Sequence, residues 1–282
     1  MHLHPAARIG ALAVAAAATA LVTGCSGSTS GGTHGSGKPA TAALTAAQVM
    51  KNVSSQAGRA TSAVVIMNTQ ITGTMQSSMR GVMKIRTRPN VAMEMNMTKI
   101  STNGQTVPGG MREILTGKAI YIKMQALARL SNKPWVVIST SKNSGAVGSM
   151  MAGLTQQIRQ QDPLSAARML AASKDVKAAG TATIDGVRTT HFHGTYTSSE
   201  AFSLLTPQLK KLMRQYASAL GMGAITFDAW VDDQGNLREI VESYDAKAVG
   251  HVNVSLRYTS INQPVTIKPP PSSQVSTIPG LG

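Results

Sequence analysis

The chain has 282 residues, 42% of them hydrophobic, and its 27 Lys and Arg against 12 Asp and Glu give a formal net charge of +15. A single cysteine excludes an intramolecular disulfide and a metal site built from several thiolates. The positive charge favours an anionic partner, but no nucleic-acid-binding motif accompanies it. We therefore expect lipid head groups or cell-wall polymers as partners, and no nucleic acid.

The first 24 residues have the layout of a secretory signal peptide. Residues 1–8 carry one arginine and no acid, residues 9–22 are mostly Ala, Leu and Val, and two small residues follow. The apolar run is shorter than the roughly 20 residues that span a bilayer, so a permanent transmembrane anchor is the weaker interpretation. Residues 1–24 are therefore predicted to direct export.

The single cysteine, Cys25, follows this apolar run directly. The sequence Val22-Thr23-Gly24-Cys25 resembles the lipobox of bacterial lipoproteins, in which the cysteine receives a diacylglyceryl thioether and becomes the mature N-terminus. Two acyl chains suffice for stable anchoring, because each buried CH₂ contributes about 0.8 kcal/mol. We expect lipidation at Cys25 and a location at the extracytoplasmic face of the plasma membrane.

Three segments follow the signal peptide. Residues 25–40 are rich in Ser and Gly, which predicts a flexible tether. Residues 41–267 have the mixed composition of one folded domain. Residues 268–282 open with KPPPSSQ, which is typical of a polyproline-like tail outside the core.

Positive charge is concentrated in the first half of the exported chain. Residues 25–159 contain 15 Lys and Arg but only two acids, Glu94 and Glu113. Such a basic half attracts anionic lipid head groups by electrostatics alone. We therefore expect the domain to contact an anionic membrane surface, and we expect it to do so as a monomer.

The folded segment opens with one amphipathic helix. In TAAQVMKNVSSQAG, Thr45 and Gln48 form a capping-box pattern, and apolar residues recur after it at helical spacing. From Thr61 the period changes to two, in short β-favouring runs separated by Gly, Pro and Asn. These runs predict an antiparallel meander, with the clearest alternation in NVAMEMNMTKI.

Helices then interrupt the strands. Residues 148–160 have helical spacing, and DPLSAARMLAAS begins with Asp162 as N-cap and Pro163 at the first helical position. Strands resume in TATIDGVRTTHFHGTYT, a further helix starts at Pro207, and the last runs are again β-favouring. Because strands and helices do not alternate singly, the expected fold class is α+β with one large antiparallel sheet.

Several motifs, in their order along the chain, resemble one family. They are the lipobox, the Ser/Gly tether, AIYIKM followed by KPWVVI, DPLSAARMLAA, IDGVRTTHFHGTY and AWVDDQGNLREI. Together they are similar to the actinobacterial LppX/LprG lipoproteins, whose fold is like that of the periplasmic lipoprotein carrier LolA. The resemblance implies a curved antiparallel β half-barrel with helices packed on the concave face, enclosing an apolar cavity. It also implies a protein that binds lipid or glycolipid acyl chains and carries them within the envelope.

Methionine is abundant where such a cavity would be lined. Nine of the 16 methionines fall between residues 67 and 124, and Met adapts well to alkyl chains of varying shape. The same residues could form an ordinary core beneath the helices, and the sequence leaves both interpretations open. The candidate lining residues are Val64 (or its neighbour Val65), Met83, Ile85, Val91, Met93, Met95, Met97 and Tyr121.

Three other functions are weaker interpretations. Three methionines on one strand face are soft ligands suited to Cu(I), but nothing ties His191 and His193 to that strand. Asp232 and Asp233 lie beside a predicted hairpin turn, where Asp commonly bonds to the backbone, and no catalytic motif is present. We therefore expect no enzyme, no cofactor and no metal. An accessory envelope lipoprotein without cargo remains an alternative.

Overall fold

The computed structural model of the protein describes residues 44–117, 119–139, 170–203 and 207–277. The predicted signal peptide, the tether and Cys25 lie outside these described residues, as do the predicted helix at 148–160 and most of the segment that begins at Asp162. Within the described ranges, none of the helices is both long enough and apolar enough to span a membrane.

The described residues form four α-helices, a short 3₁₀ helix (Ser272–Gln274) and thirteen strands. The helices are α1 (Ala46–Ala57), α2 (Gln125–Ser131), α3 (Ser198–Ser203) and α4 (Pro207–Leu220). The earlier strands are β1 (Ser62–Thr72), β2 (Ser77–Arg86), β3 (Ala92–Thr102), β4 (Gln105–Thr106), β5 (Met111–Leu115), β6 (Ala119–Met124) and β7 (Trp135–Ser139). The later strands are β8 (Lys177–Ile184), β9 (Val187–Tyr196), β10 (Met222–Asp232), β11 (Leu237–Ala246), β12 (Gly250–Ile261) and β13 (Val275–Ser276).

All thirteen strands belong to one open sheet. Its order is β13-β7-β6-β5-β3-β2-β1-β12-β11-β10-β9-β8, and the short β4 pairs with β3 beside this path. The pairs are antiparallel except for β13 with β7, which is parallel. The expected large antiparallel sheet is therefore confirmed, and an open sheet of this size is consistent with the expected half-barrel.

Helix α1 begins at the predicted capping box. The backbone N–H of Gln48 donates to Thr45 Oγ1 at 3.3 Å, and the backbone N–H of Thr45 donates to Gln48 Oε1 at 2.8 Å. The helix buries Met50 and Val53 completely, at 0% and 1% exposure. These two side chains lie in the main buried cluster, which fixes α1 to one side of the sheet.

The two faces of the sheet differ in what covers them. Met50 and Val53 share a buried cluster with Val65 and Ile85, so we call the face that carries these strand residues the helix face. Residues of α3 and α4 also belong to this cluster. On the other face, called the outer face, a smaller separate cluster forms around Trp135.

The predicted Pro-rich tail does not run free of the domain. Val275 pairs with Trp135 in β7, and Ile267, just ahead of the tail, is buried against the same tryptophan at 5% exposure. Val275 thus packs in the small cluster, whereas residues 268–274 are exposed except for the partly buried Pro270.

Candidate functional site

Five of the predicted lining residues come together on the helix face. Met83 lies directly opposite Met95, and Ile85 directly opposite Met93, because β2 and β3 pair antiparallel in that register. Met97 continues the same face of β3, and Val91 immediately precedes this strand. The three methionines of MEMNM thus point to one side, as their alternation predicts.

Two predicted lining residues lie on the outer face. Val64 is opposite Lys84, whereas its neighbour Val65 is opposite Met83. Tyr121 is opposite Ile114 and packs in the small cluster with Trp135. The expectation that Val64 and Tyr121 share a face with the methionines is therefore wrong. Val65 takes the place of Val64, and the helix-face residues of β6 are Ile120 and Ile122.

One row of paired helix-face residues crosses ten strands without a charged side chain. From β8 to β6 its members are Ala178, Phe192, Ala229, Ile240, Leu256, Met67, Gly81, Met97, Met111 and Met124. At about 4.8 Å between strands, the row is roughly 43 Å long. Sequence analysis missed its extent, because the row depends on register across strands far apart in the chain.

The row is covered differently along its length. Phe192, Ala229 and Ile240 are at most 4% exposed and form a filled core. Met67, Met111 and Met124 are only partly buried, as are Met83 and Met93 beside them. The part of the row from β9 to β11 therefore matches the packed-core interpretation. Met67, Met111 and Met124 leave apolar surface within reach of a ligand, although Met97 between them is buried at 6% exposure.

Two clefts lie elsewhere on the described part of the chain. One, of about 530 Å³, borders α4 at Lys210, Lys211 and Arg214. The other, of about 420 Å³, lies between α1 and the β10–β11 turn. Neither borders Met83, Met93 or Met95, so an enclosed cavity over the methionines stays a prediction.

Two carboxyl groups interrupt the helix face, and only one of them has a partner among the described residues. Glu242 of β11 is partly buried, and the phenolic O–H of Tyr196 donates to its Oε1 at 2.6 Å. Burial raises the pKa of Glu242, against the opposing effect of this hydrogen bond. Glu113 of β5 is also partly buried, and burial raises its pKa as well. No described residue donates a hydrogen bond to Glu113.

The outer face of the first strands is basic. Arg80, Lys84, Arg86, Arg112 and Lys123 all point to this side, since their pairing partners alternate with those of the methionines. Arg112 Nη2 lies 2.7 Å from Glu94 Oε1, and its guanidinium carbon lies 5.6 Å from the Trp135 ring centroid. The remaining cations have no described carboxylate partner, so this surface carries net positive charge.

The histidines of the copper hypothesis lie far from the methionines. His191 and His193 are on the outer face of β9, and five strands separate β9 from β3. Nε2 of His191 and Nδ1 of His193 lie 2.7 and 3.0 Å from Asp228 Oδ1, and the His191 ring stacks on Trp230. Across the described ranges no group of three His, Cys, Asp or Glu side chains is arranged to hold a metal ion.

Asp232, at the β10–β11 turn, has a structural role. It accepts hydrogen bonds from the backbone N–H of Gln234 and of Asn236, and from Arg238 Nε at 2.8 Å. Burial alone would raise the pKa of Asp232, but the bonds from Asn236 and Arg238 outweigh it and the pKa is lowered. This carboxylate therefore stabilises the β10–β11 turn through its hydrogen bonds, as the hairpin interpretation predicts.

One large open sheet, antiparallel except where β13 pairs with β7, is consistent with the half-barrel fold implied by the LppX/LprG resemblance. No protein-family model and no curated protein sequence matches the chain. Among solved structures, LprF from Mycobacterium bovis matches over 80% of this chain and 96% of its own, at 20% identity and a TM-score of 0.51. The lipoprotein LppX from Mycobacterium tuberculosis matches over 79% of this chain and 98% of its own, at 17% identity and a TM-score of 0.45.

The likeness to LprF establishes a shared fold. It extends over nearly the whole of that protein, with 96% of its chain covered. The fold expected from the resemblance to the LppX/LprG lipoproteins is thereby confirmed.

Proposed function

We propose that the protein is a membrane-anchored lipoprotein that binds the acyl chains of a lipid or glycolipid and carries it within the cell envelope. The observation that supports this most is the uncharged row on the helix face, in which Met67, Met111 and Met124 are only partly buried. An alkyl chain lying along these methionines would remove apolar surface from water, worth about 0.8 kcal/mol per CH₂. Helices packed over these methionines would complete an apolar cavity.

The anchor and the basic surface complete the proposal. Lipidation at Cys25 would hold the domain at the extracytoplasmic face of the plasma membrane through the tether at 25–40. The basic outer face would meet anionic head groups, while the ligand occupies the opposite side of the sheet. A binding role, and not a catalytic one, also fits the use of Asp232 in a turn.

Charge placed on the helix face tests the proposal. Met83 and Val82 are neighbours on β2, both partly buried, but Met83 lies on the helix face and Val82 on the outer face. Met83→Arg should block an acyl chain, because an unpaired charge among apolar groups is unfavourable. Val82→Arg adds the same charge on the other side and serves as the matched control. Met83→Gln repeats the test with a smaller, uncharged change.

The measurements are circular-dichroism melting and mass spectrometry of lipid extracted from each purified chain. Folded Met83 variants that lose lipid, beside a Val82→Arg chain that keeps it, support the proposal. A wild type that never carries lipid, or folded Met83 variants with a full lipid load, would contradict it. An empty wild type would favour the accessory lipoprotein without cargo.

A further inference from the structure

Glu113 is the single charged residue in a second row on the helix face. This row crosses six strands in the order Val65, Met83, Met95, Glu113, Ile122 and Val136. The neighbours directly opposite Glu113 are Met95 on one side and Ile122 on the other, both apolar. The carboxyl group therefore projects among the side chains to which we assign the ligand.

Glu113 differs from Glu94 and Glu242 in having no partner among the described residues. Glu94, on the outer face, is bound by Arg112 at 2.7 Å, and Glu242, on the helix face, is bound by Tyr196 at 2.6 Å. Among the residues that the structure describes, no donor or cation contacts Glu113. Burial raises the pKa of this carboxyl, which shows that its surroundings do not solvate it well.

An unpartnered carboxyl in an apolar row is unfavourable and calls for an explanation. Buried polar groups in proteins nearly always have a hydrogen-bond partner, and leaving one without a partner is destabilising. A Leu or Met at position 113 would fill the row without that penalty. A ligand that supplies the missing donor would explain why a glutamate stands there.

We propose that Glu113 accepts a hydrogen bond from the ligand, so that the helix face selects a lipid with a hydroxyl or ammonium donor next to its acyl chains. This inference rests on the proposed lipid-binding function. A phosphate in the same position is disfavoured, because it would bring a second negative charge against the carboxylate. Among the described cations of the neighbouring strands, Lys84 and Arg112 lie on the outer face and cannot compensate for that charge.

Three ether lipids that differ only at one position test this selection. They are 1,2-di-O-oleylglycerol, which has a free hydroxyl, its 3-O-methyl ether, which has no donor, and its 3-amino analogue, which has an ammonium group. The full exported chain is delipidated, and the Kd of each lipid is measured by displacement of a fluorescent fatty-acyl probe. We expect the wild type to bind the hydroxyl or amino lipid about tenfold more tightly than the methyl ether.

Variants of Glu113 test whether this carboxyl group causes the preference for a lipid with a hydroxyl or ammonium donor. Glu113→Leu should abolish the preference and still bind the methyl ether, because it completes the apolar row. Glu113→Gln should keep a preference for the hydroxyl, since the amide oxygen still accepts, but lose any extra affinity for the amine. Glu94→Gln, which removes the acid on the outer face of the neighbouring strand, is the matched control and should leave the preference unchanged.

The outcomes separate this inference from the proposed function. Equal affinity of the wild type for all three lipids would overturn the role of Glu113 while leaving lipid binding intact. A preference that survives in Glu113→Leu would do the same. A wild type that binds none of the three lipids would overturn the proposed function, and this inference with it.

Discussion

The phenolic oxygen of Tyr196 lies 2.6 Å from Oε1 of Glu242, a contact that reaches from β9 to β11 across the intervening strand β10. Burial, and then the nearby carboxylate, raise the pKa of Tyr196 well above its usual value, so the phenol stays protonated and donates. The bond explains how a carboxyl group is accommodated beside Phe227, which is completely buried.

Tyr196→Phe should lower the free energy of unfolding by about 1–3 kcal/mol, because it leaves the Glu242 carboxyl without its donor. Urea denaturation measures the change. Glu242→Gln and the double variant complete a thermodynamic cycle, in which we expect a coupling of at least about 0.5 kcal/mol. Tyr216→Phe, on the exposed side of α4, is the control and should change stability little. Equal losses for the two tyrosine variants would contradict the assigned role.

Glu113→Gln should change how stability depends on pH. Burial raises the folded-state pKa of Glu113 above its ordinary value of 4.5, so the folded chain binds this proton more tightly than the unfolded chain. The stabilising contribution is therefore complete below the unfolded pKa and is lost as pH rises through the folded pKa. Relative to the wild type, the Gln variant should become more stable as pH is raised from about 4 to about 8.

Urea denaturation of the wild type and of Glu113→Gln at several pH values measures this change in the stability difference. Glu94→Gln is measured alongside for comparison. Glu94 lies on the outer face with Arg112, where removing the charge also breaks an ion pair. A stability difference between Glu113→Gln and the wild type that is constant with pH would show that Glu113 has an ordinary pKa.

Gly110→Ala should destabilise the domain by about 2 kcal/mol or more, since it combines backbone strain with a clash. Gly110 has φ of +63°, and a Cβ atom there would come within 2.0 Å of the Met97 carbonyl oxygen. Gly104 is a matched control, because it has φ of +79° but no atom within 4 Å of an added Cβ. Gly104→Ala should cost only about 1–2 kcal/mol for the left-handed conformation. Thermal melting of both variants tests whether the clash adds to the strain.

Cys25→Ser should abolish attachment of the diacylglyceryl group, because Cys25 is the single thiol in the chain. The variant should leave the membrane fraction and fail to incorporate labelled fatty acid, as measured by fractionation and autoradiography. Normal labelling of the variant would show that the lipobox interpretation is wrong.

The Cys25→Ser chain also allows the basic outer face to be tested in isolation. Lys84→Gln with Lys123→Gln should weaken its binding to vesicles that contain anionic lipid, at about 1 kcal/mol per cation close to the surface. The affinity of the variant for these vesicles should depend less steeply on salt, because two fewer cations contribute an interaction that salt screens; the Debye length is about 8 Å at about 0.15 M salt. Lys177→Gln, at the opposite edge of the sheet in β8, is the control. Equal binding to neutral and anionic vesicles would reject an electrostatic contact.

The face of the sheet on which a side chain lies could be predicted from the sequence where polar and apolar residues alternate. It could not be predicted where both faces of a strand carry apolar residues. In β3 the methionines alternate with Glu94 and Asn96, so the side of each is readable from the sequence. In β6 the outer face carries the apolar Tyr121 as well as Lys123, and Tyr121 is covered by the small outer cluster. That cover includes Val265 and Val275 from the distant C-terminal segment, which no local pattern reveals.

Two further features depend on register and could not be found from local sequence. A shift in pairing between Val64 and Val65 on the β12 side accompanies the misplacement of Val64, since two adjacent valines give no preferred side. The place of Glu113 between Met95 and Ile122 needs the pairing of three strands. The sequence did show that Glu113 is one of only two acids in residues 25–159, and this rarity was the available signal.

The sheet is joined across its middle by the pairing of β1 with β12, in which Val65 meets Tyr258. A polypeptide is synthesised from its N-terminus, and in the proposed export β1 would leave the translocation channel long before its partner does. Until β12 arrives, one edge of β1 presents unpaired N–H and C=O groups that another chain could use as a template. Contacts so distant in sequence form slowly. We therefore expect folding to finish only after nearly the whole chain has been exported, and we expect a product truncated before Gly250 to self-associate instead of folding.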